Sequence, residues 1–209
     1  MPDLDRHFRE ANIAALLKYG DNTIELTAQP FDLLLELEAV YIEGQFTVFP
    51  DEEGHWAIHE PRTLKVGSWK DQGYPFYGHA VVYEMLFGVD ELSGDNRYTV
   101  RLSDWSGVSA SLSVNGSHVG LFGTGNVNEL EIGSFLQTGE NVALIRVCGS
   151  FKNLFGPFHH PDRPRKTVWP SFWKQSPYYG PAVGFEYDLV EQGYLQDFVV
   201  IQRTFVKDS

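Results

Sequence analysis

The chain has a single cysteine, Cys148, among 209 residues. That excludes an internal disulfide and a cysteine-based zinc cage. Cys148 ends an apolar alternation, where a thiol packs as a small hydrophobe, so a buried inert side chain is expected rather than a nucleophile. Basic residues are also scarce: 16 Lys and Arg stand against 28 Asp and Glu, a net charge of −12. Binding a nucleic-acid backbone requires a concentrated basic patch. The richest run, Arg163, Arg165 and Lys166, is too short to offset the acidic remainder. No apolar stretch approaches the ~20 residues of a membrane-spanning helix. Residues 1–20 lack a long apolar core behind a basic start, so they do not read as a secretory signal. Neither nucleic acid nor membrane is an expected partner. The chain is expected to be cytoplasmic, or extracellular if it is a piece of a secreted enzyme.

Helical periodicity appears at the start. "DRHFREANIAALLKYG" places Phe8, Ile13, Leu16 and Leu17 at helical spacing before Gly20, which predicts a short amphipathic helix. "FDLLLELEAVYIEGQFTVF" is apolar on both faces, as a buried strand or a helix followed by a strand would be, and turns β-like at Tyr41, Phe46, Val48 and Phe49. A polar hairpin or excursion, "DEEGHWAIHEPRTL", comes next. From Ala80 onward the runs "AVVYEMLFGV", "NRYTVRLSDW", "VSASLSVNGSHVGLF", "NELEIGSFL" and "ENVALIRV" alternate between Gly, Asn, Asp and Ser punctuation. Asn115-Gly116 within them is a strong hairpin signal. This pattern predicts an all-β fold, an antiparallel two-sheet β-sandwich of jelly-roll type with long loops. "FEYDLVEQGYLQDFVVIQR" adds a last strand, expected to close the sheet near the chain's start. Residues 1–45 are expected to form an N-terminal helix and lead-in strand, and residues 46–209 the sandwich. "YGDNTIELTA" at 19–28 echoes "TGENVALIRV" at 138–147: Gly, acid, Asn, then alternating apolar residues. An Asx-type turn feeding a strand explains both. The first copy then reads as the closing strand of an earlier sandwich, a remnant of a preceding domain.

"CGSFKNLFGPFHHPDRPRKTVWPSFWK" leaves the last clear strand and places rings and prolines among adjacent histidines and cations. A sugar platform, a metal site and a domain seam would each explain it. Phe151, Leu154, Phe155 and Phe158 supply the anchors that a loop without ladder bonds needs. Sugars present apolar C–H faces ringed by hydroxyls, so a binding site wants flat rings among hydrogen-bonding groups. The candidate carbohydrate-binding residues are Trp169, Trp173, Tyr178, Tyr179, His159, His160 and Arg165, with Trp56 beside His55 and His59 in the polar excursion. Rings in a long loop also pin it to the flank of a sandwich, and both readings stay open. Trp69 and Trp105, near strand ends, are expected in the core.

The order "VVYEMLF", "SLSVNGSHVGLF", "NELEIGSFLQTGENVALIRV" resembles the sugar-binding jelly-roll domain of family 2 glycoside hydrolases and its galactose-binding-like relatives. "GSWKDQGYPFYGHAVVYE", "SFKNLFGPFHH" and "YDLVEQGYLQDFVV" look more like the C-terminal β-sandwich of large bacterial glycosidases of the α-L-rhamnosidase type. In such enzymes a separate barrel carries the catalytic acids, and no βα alternation is present here. The resemblance therefore implies a non-catalytic carbohydrate-binding or accessory domain, with carbohydrate and the catalytic domain of a parent enzyme as partners. The alternatives are a purely structural sandwich and a small self-contained glycosidase. Galactose-binding-like relatives often hold a structural calcium, for which "DELSGDN" and "FPDEEGH" offer oxygens.

The remaining constellations are weaker. Glycoside hydrolysis needs two carboxylates across the bond. Glu36 and Glu38 would share one strand face, too close and parallel to flank a substrate. Glu129 and Glu131 alternate with Leu130 and Ile132 as an ordinary outward face. His159 and His160 point apart on any regular element, so a transition-metal site would need His79 or Asp162 as well. No Gly-x-Ser-x-Gly elbow is present. "GLFGTGN" precedes no helix and is a turn rather than a phosphate cradle.

Overall fold

The computed structural model describes residues 10–30, 33, 40–123, 128–155 and 187–204. The chain separates into two compact units, Met1–Glu43 and Gly44–Ser209. Within the described part of the first, the expected helix is a single 3-10 turn, Ala14–Leu16. Leu16 and Leu17 are exposed. A helix shorter than ~12–15 residues rarely sustains itself without burying an apolar face.

The second unit is an antiparallel two-sheet sandwich. Its strands are β1 (Thr47–Pro50), β2 (Trp56–His59), β3 (Ala80–Val89), β4 (Asn96–Arg101), β5 (Trp105–Ser106), β6 (Ser109–Val114), β7 (Ser117–Phe122), β8 (Glu129–Glu131), β9 (Gly139–Cys148), β10 (Gly193–Tyr194) and β11 (Val199–Thr204). One sheet has the order β3-β9-β6-β7 and the other β11-β4-β8; β1 with β2 and β5 with β10 form two-stranded ribbons. The predicted polar hairpin is the β1–β2 ribbon. The last strand, expected to close near the chain's start, pairs instead with β4, Val200 opposite Val100. Its side chains favour that place, since Arg203 reaches across β4 to Glu129 on β8.

Period-two alternation decides which residues meet between the sheets. Ala143, Ile145 and Val147 of β9, and Ala110, Leu112 and Val114 of β6, are fully buried against Tyr98, Val100 and Leu102. Each fully buried Val, Leu or Ile side chain contributes about 1.5–3 kcal/mol. Trp69 is in the core, as expected, and Trp105 packs partly buried against it. Cys148 is half-buried rather than buried, with the Arg146 guanidinium donating to its Sγ at 2.8 Å.

The Asn115-Gly116 signal is a type I′ turn between β6 and β7, with φ of 49° and 80°. The Asn115 side chain also ties that turn to the next strand pair. Its Nδ2 donates to Phe135 O and to Asn141 Oδ1, both at 2.8 Å, and its Oδ1 accepts the Val142 amide at 3.0 Å. Asn141 is fully buried. Its Oδ1 also accepts the Gln137 amide at 2.9 Å, and its Nδ2 donates to Gln137 O at 2.8 Å and Gly139 O at 3.0 Å. Asn141→Ala leaves these backbone groups unpaired. The expected loss is about 2–3 kcal/mol, a fall in Tm of roughly 5–10 °C for a domain of this size. Asn141→Asp keeps the acceptor but loses the donors, so in a melting series it should fall between the native chain and Asn141→Ala.

The outer face of the three-stranded sheet carries a cross-strand charge network. Glu129 accepts from Thr99 Oγ1 at 2.6 Å, from Arg101 at 3.0 Å and from Arg203, while Arg97 donates to Glu131 at 2.7 Å. The Arg203 hydrogen bond, then those of Thr99 and Arg101, pull the Glu129 carboxyl from its ordinary 4.5 to about 2. A depressed folded-state pKa stabilises the fold at pH above the unfolded value, and that stabilisation is lost as pH falls from about 4.5 toward 2. Glu129→Gln should flatten the decline of Tm across that acid window. An unchanged acid profile would show that the network carries no linkage.

Candidate functional site

The second unit brings three distant segments together around Trp69. Its Nε1 donates to Tyr83 Oη at 2.6 Å and its backbone amide to Gln192 O at 2.8 Å. A Cβ on Gly149 would lie 2.6 Å from Trp69 Cζ3, and one on Gly193 2.5 Å from its Cδ1. Only glycine admits the indole at either position. Burial, together with the Asp197 charge, raises the Tyr194 hydroxyl well above its ordinary range, and burial likewise raises Tyr83. Both phenols are therefore neutral packing groups whose hydroxyls serve as hydrogen-bond partners.

Beside this core sit two side-chain amides that act as substitute ladder rungs. Asn153 is buried; its Nδ2 donates to Pro75 O at 2.8 Å and to Val190 O at 2.9 Å, and its Oδ1 accepts the Val190 amide at 2.9 Å. Gln192, also buried, accepts the Ser150 amide and donates to Ser150 O at 3.1 Å. Lys152 and Asp188 form an ion pair at 3.9 Å. The chain before residue 156 and the chain after residue 186 are thereby tied to each other and to the 67–78 loop. Neither Asn153 nor Gln192 stands out in the sequence. The one available signal is a lone amide among Phe151, Leu154 and Phe155, since a polar group in an apolar run must bond something.

Aromatic rings surround this neck. Trp56 packs on Phe76 at 5.0 Å and on Tyr187 at 5.6 Å between centroids. Phe151 packs on Phe155 at 5.4 Å and edge-on to His79 at 5.6 Å. Anchoring was expected of Phe151, Leu154, Phe155 and Phe158. Phe151 and the buried amide of Asn153 supply it, while Leu154 is half-buried, Phe155 is exposed and Phe158 lies outside the described residues. A shallow depression of about 450 Å³ adjoins the neck, lined by Lys70, Ser106, Leu189, Val190 and Glu191. Lys70 faces Glu191 at 3.6 Å, and Ser106 Oγ donates to Glu191 O at 2.7 Å. Charged and hydroxyl groups of this kind can exchange hydrogen bonds with a hydroxylated ligand. Among the described residues lining the depression Glu191 is the one carboxylate, so they provide no pair of acids for glycoside hydrolysis.

Of the sequence-predicted site residues, Trp56 lies on β2 within the ring cluster, half-buried, and its Nε1 finds no acceptor among the described residues. Trp169, Trp173, Tyr178, Tyr179, His159, His160 and Arg165 lie outside the described residues. In the 49–55 loop, Asp51 Oδ1 accepts the amides of His55 at 2.8 Å and Glu53 at 2.9 Å, and the His55 amide foremost holds its carboxyl below the usual range. Among the described residues no group of three or more His, Cys, Asp or Glu side chains is placed to hold a metal ion. Among the same residues no helix is long and apolar enough to cross a membrane.

No family model matches the chain, and no curated protein does. Solved structures similar to it include a rhamnosidase from Novosphingobium sp. PP1Y, 19% identical over 85% of this chain and 16% of that one, with a TM-score of 0.47. A β-D-glucuronidase from Dictyoglomus thermophilum is 19% identical over 77% of this chain and 27% of its own, with a TM-score of 0.40. A β-D-mannosidase from the same organism is 13% identical over 79% and 22%, with a TM-score of 0.36. The chain thus spans about a quarter or less of the length of these structures.

The packing of Trp56 can be tested by substitution. Trp56→Phe keeps a ring against Phe76 and Tyr187 and removes an unpaired indole N–H, so Tm should hold nearly constant. Trp56→Ala should cost ~2 kcal/mol, less than the loss of a fully buried ring. Equal losses in the two variants, read by thermal melting, would mean that the indole N–H has a partner that matters.

Proposed function

We propose that this chain is a non-catalytic β-sandwich module of a glycoside hydrolase and that it binds carbohydrate through residues 156–186. The observation that carries this reading is the double clamp of Asn153 on Val190 and Gln192 on Ser150. It fixes both flanks of a segment whose sequence interleaves Trp169, Trp173, Tyr178 and Tyr179 with His159, His160 and Arg165. Binding residues collect on loops that a rigid scaffold positions, and sugar recognition needs rings for C–H faces with donors for hydroxyls. The resemblance of the sequence runs "VVYEMLF", "SLSVNGSHVGLF" and "NELEIGSFLQTGENVALIRV" to the sugar-binding jelly-roll domain of family 2 glycoside hydrolases supports the same reading.

A second reading, a structural sandwich that supports a catalytic domain without touching sugar, is favoured by a different observation. Val82 and Leu86 lie exposed on β3, at the edge of the four-stranded sheet. Apolar side chains in such a position suit cover by a neighbouring domain.

A glycan array with the purified chain identifies the ligand. Trp169→Ala and Trp173→Ala are then titrated by calorimetry beside melting curves. Loss of one stacking ring is expected to cost ~1–3 kcal/mol of binding, by analogy with aromatic anchors at interfaces, with Tm unchanged. Full affinity in both variants overturns the carbohydrate role of this segment. Loss of affinity only through unfolding makes the rings anchors and favours the structural reading.

A further inference from the structure

The sequence echo between residues 19–28 and 138–147 extends to atomic detail at its turn. In the second copy, Asn141 Oδ1 accepts the amide four residues back, at Gln137, and Nδ2 donates to the carbonyls four and two residues back, at Gln137 and Gly139. In the first copy, Asn22 Oδ1 accepts the Lys18 amide at 3.0 Å, and Nδ2 donates to Lys18 O and Gly20 O, both at 2.9 Å. The glycine two residues before each Asn has a left-handed φ, 84° at Gly20 and 93° at Gly139. The same three hydrogen bonds, at the same offsets, build the same turn twice.

Beyond the turn the two copies differ. After Asn141 the chain continues along β9, which is paired with β3 on one side and β6 on the other. Ala143, Ile145 and Val147 are fully buried there. After Asn22, residues 23–28 belong to no strand pair among the described residues. Ile24, Leu26 and Ala28 stand at the positions of those three core residues, and Thr23, Glu25 and Thr27 alternate with them. Ile24 is 50% exposed and Leu26 61%. Asn141 also accepts a hydrogen bond from Asn115 of the neighbouring hairpin turn. Asn22 has the same oxygen, without such a hairpin donor among the described residues.

We propose that residues 18–28 are the closing turn and strand of a second antiparallel β-sandwich, which precedes them in the same polypeptide. The β9 copy defines the occupant: an antiparallel sheet with a strand position open to Thr23–Ala28, an apolar core beneath Ile24 and Leu26, and a hairpin turn with a donor for Asn22 Oδ1. A segment that pre-forms its turn and alternates exposed Ile24 and Leu26 with polar residues fits strand addition to such a sheet. This inference concerns residues distinct from those proposed to bind carbohydrate, and neither depends on the other.

The test uses the native polypeptide. An antiserum raised to this chain measures its size in the source cells; a native product of 23.7 kDa overturns the proposal. A longer product is purified and probed by amide hydrogen exchange. Slow exchange at Thr23–Ala28, comparable to Val142–Val147, is the expected result, and fast exchange there overturns the proposal. Leu26→Asp provides a second readout. It should lower Tm of the longer polypeptide and leave Tm of the 209-residue chain unmoved. An effect of the same size in both overturns the assignment of the partner to a preceding sandwich.

Discussion

Trp69 reaches the centre of the second unit only because two glycines leave room for it. Gly149 lies against the benzo side of the indole and Gly193 against its pyrrole side. These residues come from the end of β9 and from β10, far apart in sequence. The indole therefore acts as a wedge that locates both strand ends against the 67–78 loop. Its backbone amide holds Gln192, and the side chain of Gln192 in turn holds Ser150. Removing the indole, or adding a methyl group at either glycine, would disturb the whole chain of contacts, because packed interiors relax only in part.

The consequence for function is geometric. Asn153 and Gln192 replace ladder hydrogen bonds where the strands have ended, so the chain at Ser150–Asn153 and the chain at Val190–Gln192 are held together in a fixed place. Side-chain amides suit this task because each presents a donor and an acceptor in one plane, as a peptide group does. The rings of Trp56, Phe76 and Tyr187 pack on one another, and Phe151 packs on His79 and Phe155. The charged outer face of the other sheet makes a separate contribution. Glu129 is tied by Arg101, Arg203 and Thr99 across three strands, which sets the pairing of β11 with β4 rather than with the start of the chain.

Much of the sandwich was legible in the sequence because its signals are local. The alternation of "ENVALIRV" assigns alternate residues to the core, and Asn115-Gly116 specifies a turn with two positive φ values. The echo of the Gly–acid–Asn turn was readable for the same reason: an Asn side chain bonds its own neighbours. The partner of β11 was not legible, since it depends on Arg203 meeting Glu129 over 74 residues of sequence separation. Trp56 illustrates the same limit. Nothing local to Trp56, beside His55 and His59, indicates that Phe76 and Tyr187 pack against its ring.

The sequence by itself determined an antiparallel β fold, the turn at Asn115, the two Asn turns and the core positions of the strands, because each rests on residues within a few positions of one another. Only the tertiary structure decided which strands pair, how Trp69 lies between Gly149 and Gly193, and that Asn153 and Gln192 close the neck. Those features depend on groups distant in sequence meeting at hydrogen-bond or van der Waals distance, and no local pattern encodes that distance.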